Sequence, residues 1–196
     1  MEFRDCAVVT AHPDDEIIWS GGLMLLHPDT RWKIVTLCRK SDPDRSKKFS
    51  RALEYLHASG DMGDLDDGPD QTPLSERSVQ NEVMSLLPPQ RFDLIVTHSI
   101  WGEYTRHLRH EEVARAVLAL WRSGSIIAKE VWSFAYEDGG GKYPPRYVKD
   151  ADEIIRLPEK IWQEKCGIIT DIYGFSADSF EAKAAGRQEA FWRFKS

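Results

Sequence analysis

The sequence predicts an α/β fold, a parallel sheet covered by helices on both faces, and three observations carry that prediction. Residues 5–11, 32–38, 92–97 and 129–136 are short, nearly continuous apolar runs, the pattern of strands buried on both faces. The stretches between them place apolar residues three and four apart, as a helix with one buried stripe does. At 196 residues the chain has room for one sizeable core and little more, so residues 1–196 are expected to form a single domain.

Taken in order, the first strand runs from 5 to 11 and leads into a helix over 17–26. The second strand, 32–38, is followed by helical spacing over 46–58. Residues 60–72 are acidic and rich in glycine, which reads as a mobile loop. A third helix, 75–87, ends at Pro88-Pro89, because proline cannot continue a helix. The strand at 92–97 precedes a helix at 111–121, and the strand at 129–136 precedes a second loop, 138–147. Residues 158–167 and 177–194 are expected to close the chain as two more helices. Strand–helix alternation of this kind builds a parallel, Rossmann-like sheet. Ligands of such sheets collect beyond the carboxyl ends of the strands, where strand order reverses.

Composition narrows the function classes. Hydrophobic residues make up 41% and charged residues 30%, an ordinary globular balance. The net charge of −6 argues against a nucleic-acid or anionic-membrane partner, either of which needs a basic face. No apolar signal region opens the chain and no run approaches membrane-spanning length. Cys6, Cys38 and Cys166 are odd in number and widely spaced, and are read as reduced thiols of a cytoplasmic protein.

The chemistry is concentrated where the first strand ends, in Ala11-His12-Pro13-Asp14-Asp15-Glu16. Three adjacent carboxylates repel one another, and a bound cation removes that conflict. Carboxylate oxygens beside an imidazole suit zinc or a similar divalent metal. Three protein ligands would leave zinc an open position at which it activates water and polarises an amide carbonyl. A second carboxylate, held off the metal, would take the water's proton. The rest of the site is expected from His107-Leu108-Arg109-His110, which follows the strand at 92–97. Glu16 is read as a supporting group or as a first-turn helix acid. His98 is open between support of the site and plain core, and Trp101 between cleft wall and packed loop anchor.

The first motif, the second strand ending Val35-Thr36-Leu37-Cys38, the loop with Asp67-Gly68 and the downstream His-x-x-His resemble the N-acetylglucosaminyl deacetylase (PIG-L/LmbE-like) family. The resemblance covers most of the chain. It implies a Rossmann-like fold with a zinc ion at the carboxyl ends of the strands, held by His12, Asp15 and His110. It further implies Asp14 as general base, and His107 as the residue that steadies the oxyanion or protonates the leaving amine. Tyr104 would polarise the substrate carbonyl and Asp67 would bind substrate hydroxyls. The implied enzyme is a hydrolase that removes an N-acyl group, most simply acetyl, from a small amino-sugar substrate. An amidase acting on a larger thiol-sugar or antibiotic intermediate is the alternative, as is a non-catalytic small-molecule-binding module with a structural metal.

The second motif departs from the family pattern, which reads His-Pro-Asp-His after a Tyr-Gly step. Here Leu108-Arg109 replaces Pro-Asp, and Tyr104-Thr105-Arg106 precedes His107. The usual aspartate orients the first histidine; Glu103, Glu111 or Glu112 is expected in its place, or His107 is loosely held. Arg109 has two readings: a cation binding an anionic group of the substrate, or a surface residue pairing with Glu112.

Overall fold

The computed structural model describes residues 3–105 and 107–195; Arg106, within the second motif's approach, lies outside them. Strands β1 (Asp5–Thr10), β2 (Arg31–Cys38), β3 (Ser59–Leu65), β4 (Arg91–Thr97) and β5 (Ile127–Phe134) alternate with helices α1 (Asp15–Leu26), α2 (Pro43–Tyr55), α3 (Glu76–Leu86) and α4 (Leu108–Arg122). Two short strands, β6 (Tyr136–Glu137) and β7 (Arg146–Tyr147), form a separate ribbon. Strand β8 (Glu153–Arg156), helix α5 (Glu159–Gly167), a π-helical turn at Ile168–Ile172, helix α6 (Phe180–Ala184) and strand β9 (Gln188–Lys195) complete the described elements.

The main sheet has seven strands in the order β3-β2-β1-β4-β5-β9-β8. The first five are parallel, and β9 and β8 join as antiparallel strands at one edge. The order reverses between β1 and β4, which pair directly from Cys6↔Leu94 to Val9↔Thr97. The turns leaving these two strands are therefore neighbours, at the position where open α/β sheets bind ligands.

The apolar runs of β1 and β4 are continuous because each face meets its own layer. Successive side chains point to opposite faces, so Cys6, Val8, Leu94 and Val96 pack with Ile17, Trp19, Leu23 and Phe49 from α1 and α2. Ala7, Val9 and Ile95 pack on the other face with Val79, Val83, Val113 and Val117 from α3 and α4. Helix starts are specified locally. Asp42 accepts from the Asp44 and Arg45 amides ahead of Pro43, and Ser75 accepts from the Ser78 amide, satisfying N–H groups that have no partner inside the helix.

Two expectations are corrected. Residues 60–72 are not all loop, because Ser59–Leu65 forms the edge strand β3. Its composition is wrong for a strand, but glycine permits the close approach: a Cβ on Gly60 would lie 2.5 Å from the Ile34 carbonyl oxygen. Residues 177–194 are not one helix; only Phe180–Ala184 is helical and Gln188–Lys195 pairs with β5. Arg193 there reaches Glu130 and Glu153 and lies over the Trp132 ring. These cross-strand contacts outweigh the helical spacing of a short segment. No helix among the described residues is long and apolar enough to cross a membrane.

Candidate active site

The first motif turns sharply out of β1 into α1. Asp14 carries φ of +121°, a conformation that side-chain-bearing residues rarely hold without support. The support is Glu16, fully buried, whose carboxylate accepts the Asp14 N–H at 3.0 Å and the Tyr173 hydroxyl. Burial pushes the Glu16 pKa up to about 8, against those two hydrogen bonds. Of the two readings of Glu16, it is a first-turn acid that also braces the motif.

The strained turn brings three donor atoms together. His12 Nδ1 lies 3.1 Å from Asp15 Oδ2, His110 Nε2 lies 3.4 Å from the same oxygen, and the two nitrogens are 3.4 Å apart. Tetrahedral zinc, with bonds of ~2.0–2.1 Å, sets its ligand atoms about 3.3 Å apart. The spacing of these three atoms fits such an ion. Trp19 Nε1 donates to Asp15 Oδ1 at 3.2 Å, and Oδ2 accepts the His12 N–H at 2.9 Å while facing the two imidazoles. Burial opposes ionisation of Asp15, but His110 and His98 hold its pKa well below the usual carboxylate range. His12 is raised: burial pulls it down, and its contacts with Asp15 and Asp67 outweigh that.

Asp14 stands beside this set without joining it. Its Oδ2 accepts from Arg45, on α2, at 2.8 Å. Burial and the neighbouring Asp15 push its pKa up to about 7, with Arg45 opposing. His107 packs edge-on against His12 and stacks on His110, with centroids 4.8 and 4.4 Å apart. Burial, then His110 and His12, depress its pKa to about 3. Its Nδ1 is buried with no hydrogen-bond partner among the described residues.

No glutamate among the described residues bonds the orphaned Nδ1 of His107 in place of the missing aspartate. Glu112 accepts from Arg109 and the Leu74 amide, Glu111 pairs with Arg115, and Glu103 binds His110 and His98 instead. His98 is a further histidine of the site: fully buried, it stacks on His110 at 3.8 Å. Its Nε2 accepts the Ala11 N–H at 2.9 Å. The acidic neighbours Glu103 and Asp15 favour its protonated form, raising its pKa to about 9, yet accepting that N–H requires a bare Nε2. The hydrogen bond fixes the neutral form and occupies the lone pair that a metal would need.

A cleft of about 160 Å³ opens onto the set and is lined by His12, Asp14, Asp15, Asp67, Tyr104 and His107, together with Arg39, Arg45, Trp19, Phe180 and Glu181. Tyr104 sits edge-on to His110 at 5.5 Å, and burial keeps its hydroxyl protonated. Asp67 reaches the cleft and accepts from Gln71 and Arg39. It faces His12 Nε2 at 3.2 Å, out of line for a hydrogen bond. Cys38 is close to both, but burial drives its pKa up, away from the thiolate a metal binds.

Arg109 makes the Glu112 pair of its second reading, but in the interior. It is 1% exposed and does not line the cleft. Its guanidinium is consumed by Glu112 and by the carbonyls of Asp66 and Thr72. It ties the loop carrying Asp67 to α4, so the substrate-anion role is withdrawn. The Glu112 pair exists, but buried and not at the surface. Trp101 is 73% exposed and is no packed anchor. Arg45, Trp19 and Tyr173 carried no signal in the sequence, because nothing local marks which residues of α1, α2 or the π-helical turn will face the motif.

Among solved structures, the chain is similar to the N,N'-diacetylchitobiose deacetylase of Pyrococcus horikoshii, at TM-score 0.69 and 14% identity over 99% of this chain and 85% of that one. It is similar to a deacetylase of the teicoplanin biosynthesis pathway, at TM-score 0.66 and 14% identity over 98% of each. It is also similar to a 4-carboxy-2-hydroxymuconate hydratase, GalB of Pseudomonas putida KT2440, at 0.63 and 16% over 92% and 82%. These likenesses establish the fold. Uncharacterized protein L374 of Acanthamoeba polyphaga mimivirus is 22% identical over 127 residues, 57% of this chain and 55% of that protein; the chain spans about half the length of that curated relative. Residues 7–121, which include both histidine motifs, match the family described as PIG-L, GlcNAc-PI de-N-acetylase. That match takes in more than half of the sequence, and the chain belongs to the PIG-L family.

Proposed function

We propose that this chain is a metal-dependent amide hydrolase that removes an acetyl group from the nitrogen of an amino sugar or amino-sugar conjugate. The observation that carries the reading is the trio of His12 Nδ1, Asp15 Oδ2 and His110 Nε2 within 3.1–3.4 Å of one another, beside a separate buried carboxylate, Asp14. His12, Asp15 and His110 would hold the zinc or similar divalent ion. When bound, that ion supplies a Lewis acid for the amide carbonyl and lowers the pKa of the attacking water.

The chain's own residues divide the remaining work. Asp14, near pKa 7, accepts the water's proton as oxygen attacks the carbonyl carbon, and returns it to the nitrogen as the C–N bond breaks. Acetate and a free amine leave. His107, whose pKa burial and the neighbouring His110 and His12 depress, steadies the developing oxyanion as a hydrogen-bond donor. Tyr104, held protonated, donates to the same oxygen. Asp67 lies beside His12 and already accepts from Arg39 and Gln71.

The test is release of amine from N-acetylated amino sugars by zinc-loaded protein, with the His12→Ala, Asp15→Ala double variant as control. The variant should lose stoichiometric zinc and all turnover. Stoichiometric zinc retained by the double variant refutes the ligand assignment. A hydratase shares this fold, so free amine is the discriminating product.

A further inference from the structure

Glu103 is buried and takes no part in the chemistry assigned above. It nevertheless contacts two histidines of the site and one backbone amide beside them. Its Oε2 contacts the Nδ1 of His110 at 2.6 Å and of His98 at 3.0 Å, and its Oε1 accepts the Ser99 N–H at 2.7 Å. His98 carries the connection onward, since its Nε2 accepts the N–H of Ala11, the residue before His12.

We propose that Glu103 is the positioning residue of this site: one carboxylate sets the tautomers of both His110 and His98, and through His98 ties the first-motif loop to the second. The proposal rests on the reading of His12, Asp15 and His110 as metal ligands. A neutral imidazole has one N–H and one lone pair. With Nδ1–H donated to Glu103, His110 presents its Nε2 lone pair to Asp15 Oδ2 and His12 Nδ1. His98 is constrained in the same way, and its Nε2 lone pair meets the Ala11 amide. Hydrogen bonding of a ligand histidine to a carboxylate fixes its ring and raises its basicity.

This arrangement also accounts for the departure inside the His-x-x-His motif. The position of the family's orienting aspartate holds Arg109, which is turned into the loop at residues 66–72. The orienting carboxylate comes instead from Glu103, seven residues before the histidine that it serves. It acts on the second histidine of the motif and leaves His107 without one.

The test is zinc affinity by chelator competition, with nitrogen NMR of the histidine rings in the metal-free protein. Glu103→Gln removes the charge and keeps the shape. It should bind zinc about 10- to 100-fold more weakly, and His110 should change from a single Nδ1–H tautomer to a mixture. A purely structural role would lower the unfolding temperature and leave tautomer and affinity unchanged, which overturns the proposal. His98→Phe keeps a ring against His110 and removes the link to Ala11. It should also weaken zinc binding, and an unchanged affinity there overturns the proposal even if Glu103→Gln does not fold. Wild-type protein that takes up no zinc overturns the ligand reading and this proposal together. Wild type that binds zinc while Glu103→Gln binds it as tightly overturns the proposal alone.

Discussion

Replacing Arg45 by Met should move the acidic limb of the pH–rate profile to higher pH. The Arg45 guanidinium lies 2.8 Å from Asp14 Oδ2 and opposes the burial that raises the Asp14 pKa to about 7. Opposite charges with centres about 4 Å apart attract by ~4 kcal/mol at an effective dielectric of 20. The Arg45 side chain is 30% exposed, and solvent and salt leave about a third of that, ~1.4 kcal/mol or one pH unit. Asp14 acts as a base only when ionised, so a higher pKa removes active enzyme at low pH and spares it at high pH. A bound metal cation lowers the limb in wild type and variant alike, and the direction of the difference survives. Met keeps the stem beside Phe175, over which the guanidinium sits at 5.0 Å. The assay is kcat/KM of zinc-loaded protein from pH 5 to 9. About tenfold loss on the acidic side with a preserved alkaline plateau is expected; a limb that does not move, or a uniform loss at every pH, refutes Arg45 as the group that sets the base.

Three further outcomes follow from the same geometry. Asp14→Asn should keep zinc and lose about 10²–10⁴-fold in kcat, the contribution of a general base, so near-normal turnover would reassign that role. Metal-free protein should lose stability as pH rises from about 4 to 8, because Asp14 and Glu16 have folded pKa values raised to about 7 and about 8 and ionise less readily folded than unfolded; thermal unfolding in chelator at pH 5 and pH 8 checks the sign. Glu189→Leu should cost about 3–5 kcal/mol, because it strands the buried Lys165 ammonium and the Gly22 and Leu23 amides, each 2.7 Å from that carboxylate. A cost below about 1 kcal/mol in urea unfolding would show that this carboxylate does not hold α1 and α5 to β9.

The sequence alone determined the parallel core of the sheet and singled out the two histidine motifs that the fold brings together. Strands β1, β2, β4 and β5 are legible because burial on both faces forces continuous apolar runs. The His12–Asp15 cluster stands out in the sequence because adjacent carboxylates beside a histidine repel one another unless partners or a cation offset them, and which partners do so is visible only in the fold. Tertiary structure alone decided the two edges and the inner supports. Strand β3 forms because glycines let its backbone close on β2, and β9 forms because β5 offers an open edge; neither condition lies within the segment itself. The fate of the charged residues was settled in the same way. Glu103 reaches His110, Arg45 reaches Asp14, and Arg109 is buried in a loop's carbonyls, although all three are ordinary charged residues in sequence. A charge's partner is set by distance through space, and at the point where β1 and β4 lie side by side that distance is made by the fold.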